Sequence, residues 1–196
     1  RIYRYAHLAY VGGGFATGLH NTLEPAVFGI PVLTGPKYHG FREAEELVAI
    51  GGTQILFQGG VHPKLKIDFY EDLVGHIHEK YPQITIHAFS AIEIDFIAKI
   101  SKISIKEVLE RLKAKGLSSI PGAGAEILSD RVRDIIAPKK HDSSVWIEVH
   151  RQAHKLGIMS TATMMFGTVE TDEEIIEHWD LVRQLQDETG GFQTFV

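Results

Sequence analysis

Ile55-Leu56-Phe57-Gln58-Gly59-Gly60-Val61-His62-Pro63 decides how the chain is read. Three apolar residues of strand type run straight into a glycine pair, and His62-Pro63 then turns the chain toward a helix. The unit is a short strand, a polar or glycine-rich mouth, then a helix. Downstream it recurs, with strand patterns at 53–57, 84–89, 117–120, 158–166 and 192–196. The stretches between them predict helices over 68–80, 92–100, 105–115, 130–136 and 143–156, and one beginning after Thr171. Phe69, Leu73 and Ile77 are the expected inward stripe of the first. Ser104 with Glu107, and Thr171 with Glu174, have the spacing of a capping box. Gly116 and Gly157 stand where helices end, and Pro138 stops another. Parallel units of this kind gather their mouths on one rim, where ligands bind. The expected fold is α/β, a segment of about five barrel units.

The chain has 196 residues, 44% apolar and 23% charged, enough for a sizeable core. A net charge of −5 gives nucleic acid no electrostatic attraction. No apolar run approaches the length of a membrane span and no secretory leader is visible. The expected compartment is therefore the cytoplasm, and the expected partner a small-molecule substrate. Cysteine is absent, which excludes disulfides, zinc–thiolate sites and a cysteine-bound iron–sulfur cluster within these residues. The chain opens on Arg1-Ile2-Tyr3-Arg4-Tyr5 with no Met and no polar lead-in, so it reads as a piece of something longer.

Upstream of the glycine pair the rhythm is similar but the residues differ. Residues 6–11 read as a buried strand ending at Gly12-Gly13-Gly14. Glycines there let backbone N–H groups approach an anion, although a lone triplet is more often a tight turn. Asn21 or Thr22 can cap a short helix with Glu24 in its first turn. A short strand at 31–34 leads to Gly35-Pro36, and a helix is predicted over 41–50, ended by Gly51-Gly52. Its expected packing side is Phe41, Ala44, Leu47 and Val48. The spaced elements GGGF, GLHNTLEPAVFGIPVLTGP and FREAEEL within residues 1–48 resemble the C-terminal half of a Kdo transferase. That family consists of GT-B glycosyltransferases of the lipid A (lipopolysaccharide) pathway. The resemblance implies that Gly12, Gly13, Gly14, His20, Asn21 and Glu24 hold the nucleotide of CMP-Kdo. The acceptor-binding domain of that family has no counterpart here.

From about Glu45 onward the chain resembles another family, cyclic dehypoxanthinyl futalosine synthase. The likeness is carried by ELVAIGGTQILFQGGVHPKL, ITIHAFSAIEI, SIKEVLERLKAKGLSSIPGAGAEIL, TATMMFGTVET and LQDETGGFQTF. That family is a radical S-adenosylmethionine (SAM) enzyme of the futalosine route to menaquinone, and aminofutalosine synthase is its confusable relative. The resemblance implies S-adenosylmethionine as cofactor. Gly59 and Gly60 would present their backbone to the methionyl amine, with Gln58 beside them. Thr163, Met165, Gly167 and Glu170 would form the strand end whose backbone holds adenine. The family's [4Fe–4S] cluster sits on a CxxxCxxC loop after the first strand. Here that place is taken by Pro31-Val32-Leu33-Thr34 and the loop 35–40, without cysteine. No cyclase activity is expected from these residues as they stand.

Several positions carry two readings. Alone, Gly59-Gly60 is a strand-to-loop turn that needs flexibility. Ser90, at a strand end, either meets a ribose or substrate or caps the helix that follows. Glu126, in a glycine-rich mouth, either binds a ribose hydroxyl or amine or supplies a first-turn charge. Thr161, Thr163 and Met165 alternate, so they share a face of one strand. Met164 and Met165 alone would be core, and Glu170 alone a support for the turn or the next helix. His62 either meets substrate or is an ordinary loop histidine. His150 and His154 lie one helical turn apart, but Arg151-Gln152-Ala153 between them lacks the zincin glutamate, so packing is expected and no metal site. His76 and His78 face different ways. The run 170–177 reads as a solvated helix start.

Two domains are expected, a Kdo-transferase-like GT-B/Rossmann-like βαβα piece at 1–44 and a partial radical-SAM-type barrel at 45–196. The join falls within the helix at 42–49. The strand around Val32 is expected to fill the first slot of the barrel, beside Ile55; the alternative is that residues 1–40 form a separate, poorly packed lobe. Three functions follow: a radical SAM cyclase piece without its cluster, a CMP-Kdo-dependent transferase remnant, or a non-catalytic chimeric scaffold.

Overall fold

The computed structural model describes residues 9–10, 32–33, 48–49, 51–138 and 142–196. Strands β1 (Ala9–Tyr10) and β2 (Val32–Leu33) pair in parallel, Ala9 opposite Val32. A second, five-stranded parallel sheet is built from β3 (Gln54–Phe57), β4 (Thr85–Ala88), β5 (Leu117–Ile120), β6 (Met159–Ala162) and β7 (Phe192–Phe195), in chain order. Helix α1 (Ile67–Lys80) joins β3 to β4. α2 (Ala91–Ser101) and α3 (Ile105–Ala114) join β4 to β5, and α4 (Asp130–Ile136) and α5 (Ser143–Lys155) join β5 to β6. α6 (Asp172–Thr189) leads to β7. Parallel strands laid down in chain order need a crossover between each pair, and the helices supply it. The expected α/β fold of strand–helix units on a parallel sheet forms from residue 54 onward.

Each element follows from its residues. β3 alternates exposed Gln54 and Leu56 with buried Ile55 and Phe57, so the helices cover one face only. α2 opens on a full capping box between Ser90 and Glu93, and α6 on one between Thr171 and Glu174. At α3, Ser104 accepts from the Glu107 amide at 3.1 Å, one half of the expected box. The core unites Ile55, Ile86, Ile94, Ile97, Leu109, Leu112, Ile120 and Ile158, all essentially inaccessible. No described helix is long and apolar enough to cross a membrane.

Four expectations need correcting. Val32 is laddered to Ala9, and among the described residues no ladder joins β2 to β3, so Val32 does not sit beside Ile55. The stripe that α1 buries deepest is Ile67, Tyr70, Val74 and Ile77, with Phe69 and Leu73 only partly covered, because α1 is rolled slightly toward Tyr70. β6 ends at Ala162 rather than Phe166: the Met164 amide still reaches the Val196 carbonyl, but the Met165 amide turns to the carbonyl of Glu126. Glu174 is not a solvated helix-start charge: it takes bonds from Ser129 at 2.7 Å and Arg131 at 2.8 Å. Of the helix predicted over 41–50, residues 48–49 are described and are helical, and Gly51 leaves it with φ +78° and an amide bond to Val48. Phe41, Ala44 and Leu47 lie outside the described residues.

Histidines occupy buried places around β4–β6. His87 Nδ1 lies 2.7 Å from Ser119 Oγ, and Ser160 Oγ lies 3.0 Å from His150 Nδ1 and 2.7 Å from His154 Nε2. This is the packing role expected for His150 and His154. Leu128 donates its amide to His178 Nδ1 at 3.0 Å. Burial pushes His87, His154 and His178 down to about 4. His150 falls well below its ordinary value, first by burial and then by the nearness of His154 and His87. Depressed histidines bind fewer protons folded than unfolded, so their contribution is complete above pH about 6.5 and is lost as pH falls toward 4. The Glu93 carboxyl, raised by burial, works the opposite way, one group against four. Thermal melts from pH 7 to pH 4.5 should therefore show a midpoint that falls by on the order of 5 °C or more. A midpoint that holds or rises over that range would contradict neutral burial of these rings.

Candidate functional site at the strand ends

The C-terminal ends of β3, β4, β5 and β6 meet at one rim, as parallel strands dictate. β3 delivers Gln58, Gly59 and Gly60, and Gly60 takes φ +70°, which a glycine tolerates. The Gly59 and Gly60 amides donate to Glu93 Oε1 at 2.8 and 2.9 Å. Glu93 Oε2 accepts from the Ser90 amide and the Ser90 hydroxyl, both at 2.8 Å. Glu93 is 5% exposed, and burial raises its carboxyl against the pull of those four donors. In a trans peptide the C=O points opposite to the N–H of the same unit. With the Gly59 and Gly60 amides turned to Glu93, the carbonyls of Gln58 and Gly59 point the other way.

β5 delivers the loop from Pro121 to Glu126. Gly122 is held by both of its backbone groups. Its amide donates to Thr161 Oγ1 at 2.9 Å, and its carbonyl accepts from Thr163 Oγ1 at 2.7 Å and Trp146 Nε1 at 3.0 Å. The buried Arg133 guanidinium donates to the carbonyls of Gly124 at 2.9 Å and Ala125 at 2.5 Å. Glu126 itself takes φ +46°, a left-handed conformation that costs a non-glycine residue energy and is held here by its surroundings. Its carbonyl accepts from the Met165 amide at 2.9 Å. The next helix begins only at Asp130, so Glu126 is not a first-turn charge.

The predicted residues thus fall into groups. Gln58, Gly59, Gly60 and Ser90 are gathered through Glu93, and Glu126, Thr163 and Met165 are gathered through the Pro121 loop. Ser90 is the N-cap of α2, with its hydroxyl bonded to Glu93. Thr161 and Thr163 share a face, as alternation implies, because both reach Gly122. Met165 has left the strand and is 46% exposed. Glu170 folds back on its own turn, accepting from the amide of Gly167 and from the Thr168 hydroxyl and amide. Those bonds hold it down to about 2, the Thr168 hydroxyl foremost. His62 accepts from the Lys64 amide at 3.2 Å within its loop. Gly12, Gly13, Gly14, His20, Asn21 and Glu24 lie outside the described residues. The reading of the sequence passed over Glu93, Arg133 and Gly122. Only Glu93 carried a local signal, since Ser90-Ala91-Ile92-Glu93 has capping-box spacing.

The donor set does not suit an iron–sulfur cluster. The 196 residues contain no thiolate, and among the described residues no three His, Asp or Glu side chains converge as metal ligands would.

A sequence model of the Radical SAM superfamily matches residues 40–182. Curated proteins similar to this chain include a cyclic dehypoxanthine futalosine synthase of Streptomyces coelicolor, 46% identical over 155 residues, covering 79% of this chain and 39% of that protein. A 5-amino-6-(D-ribitylamino)uracil--L-tyrosine 4-hydroxyphenyl transferase 1 of Methanosarcina mazei is 49% identical over 155 residues, 79% of this chain and 40% of that protein. An aminodeoxyfutalosine synthase of Thermus thermophilus is 46% identical over 146 residues, 74% of this chain and 39% of that protein. The chain spans about two fifths of the length of these relatives.

A Cβ on Gly122 would lie 2.5 Å from the Thr161 carbonyl oxygen and 2.8 Å from Ala162 Cα, both backbone atoms of β6. Gly122→Ala should therefore push the loop off the strand and cost about 2 kcal/mol or more. Denaturant melts would check the loss, and unchanged stability would show that the loop is free to move away.

Proposed function

The chain belongs to the radical SAM superfamily, and from that premise we propose that its strand-end rim binds S-adenosylmethionine. The observation that carries this reading is the orientation of the glycine mouth. An ammonium group needs acceptors, and the carbonyls of Gln58 and Gly59 point away from Glu93. Glu126, which follows the Ala125 carbonyl held by Arg133 and accepts from the Met165 amide through its own carbonyl, carries a carboxylate of the kind that binds a ribose diol. Thr163, Met165, Gly167 and Glu170 shape the wall beside it. In this superfamily S-adenosylmethionine yields its radical only beside a reduced iron–sulfur cluster. No such step is assigned to these residues, which lack the thiolates.

Within the superfamily we favour a futalosine-synthase type of parent, acting on a small nucleoside-like substrate in menaquinone biosynthesis. The support is the near-continuous likeness from about Glu45 onward. The similar identity to proteins named as two futalosine synthases and a hydroxyphenyl transferase leaves all three reactions as candidates for that parent. Residues 1–44 are proposed as a separate Kdo-transferase-like piece. The start of the superfamily match at residue 40 supports that division. In that piece Gly12–Gly14, His20, Asn21 and Glu24 would hold a cytidine nucleotide.

Calorimetric titration of the whole chain with S-adenosylmethionine tests the first reading. Binding is expected, weakened at least tenfold by Glu126→Ala with the melting temperature unmoved. Silence from a chain that melts cooperatively would overturn it. A parallel titration with CMP tests the second piece, where binding is expected and silence would remove it.

A further inference from the structure

Glu93 stands 33 and 34 residues from the two glycine amides it binds, yet one carboxylate oxygen takes both. Consecutive backbone N–H groups aimed at one point form an anion-binding concavity. In this protein the anion is already present, and it belongs to the chain. The other oxygen is held by the Ser90 amide and hydroxyl, so all four bonds fix the carboxylate in one pose at the start of α2. A carboxylate accepting from an amide also polarises that peptide group, which makes its carbonyl a stronger acceptor.

We propose that Glu93 is a positioning residue that fills the anion hole of the Gly59–Gly60 amides, so that the mouth after β3 selects an ammonium-bearing ligand and rejects anions. Glu93 acts through the peptide units and does not touch the ligand. Two things follow from one side chain. The amides most available to a phosphate or a carboxylate are occupied, and the acceptors that remain are carbonyls stiffened from behind. The ligand side of this inference rests on the S-adenosylmethionine reading above, and the tests keep the two apart.

Amide proton–nitrogen spectra of the whole chain read the site directly. In the unsubstituted protein the Gly59 and Gly60 signals should be shifted downfield by the carboxylate and should ignore millimolar inorganic phosphate. Glu93→Ala removes the anion and leaves space for a small carboxylate. Acetate should then restore the Gly59, Gly60 and Ser90 signals, whereas chloride at matched ionic strength should not. Loss of packing alone would give no such rescue. Glu93→Gln keeps the shape but not the charge, and it decides the matter if the alanine variant fails to fold. It should move the two glycine signals upfield and weaken S-adenosylmethionine binding at least tenfold in a chain that still melts cooperatively, at a somewhat lower temperature because the amide NH2 cannot accept from a buried N–H. Glycine signals unaltered in Glu93→Gln, acetate without effect on folded Glu93→Ala, or phosphate shifting those signals in the unsubstituted chain would each overturn the proposal. If the unsubstituted chain fails to bind S-adenosylmethionine, the cofactor reading falls, and the amide signals still decide the role of Glu93.

Discussion

Three hydrogen bonds converge on Gly122, and the rim depends on them. Thr161 takes its amide, while Thr163 and Trp146 share its carbonyl. One residue without a side chain thus joins the end of β5 to the end of β6 and to α5. The contact requires backbone-to-backbone approach closer than any Cβ allows, so the loop composition is dictated by packing as well as by flexibility. From that knot the loop runs on to Ala125, whose carbonyl Arg133 holds, and then to Glu126 in its left-handed pose. Trp146 carries the restraint outward, stacking on Phe192 and meeting the His150 ring at a tilt. The second fixed point is Glu93, which does for β3 and α2 what Gly122 does for β5 and β6. Between these two anchors the mouth has little freedom, which is what a binding rim needs if binding is not to be spent on ordering loops.

Much of this fold is legible in the sequence. Local rules suffice where the cause is local. Strand-like runs ending in glycine located β3, and the Thr171–Glu174 spacing located the start of α6 to the residue. The same spacing at Ser90–Glu93 was open to inspection, but its larger meaning was not. Two of the four bonds to Glu93 come from residues more than thirty positions away, and no periodicity encodes them. The end of β6 was set by a similar long-range cause. Met159 to Phe166 is strand-like throughout, yet the Met165 amide is taken by Glu126, and the ladder stops at Ala162. The face of α1 was misjudged by part of a turn, because Tyr70 and Phe69 are both large and apolar and only the edge-on contact of Tyr70 with Phe89 decides between them. His150 and His154 pack as their helical spacing allows, because Ser160 meets both buried rings.

Proteins named for different reactions are 46–49% identical to this chain over 146–155 aligned residues, about two fifths of their own length. A likeness spread so evenly over different reactions identifies the superfamily and not the reaction. On the sheet, Leu56 of β3 lies opposite His87 of β4 in the ladder; Leu56 is 38% exposed and His87 is tied to Ser119.

β7 has a ladder on one side only. Among the described residues its outer edge carries no strand, and beside it lies a groove of about 430 Å³ walled by Trp179, Val182, Phe192 and Phe195. Trp179 is 50% and Phe195 46% exposed. At the start of that strand the Gln186 side chain takes both backbone groups of Phe192, its Oε1 accepting from the amide at 2.8 Å and its Nε2 donating to the carbonyl at 3.3 Å, so one side chain of α6 stands in there for a neighbouring strand.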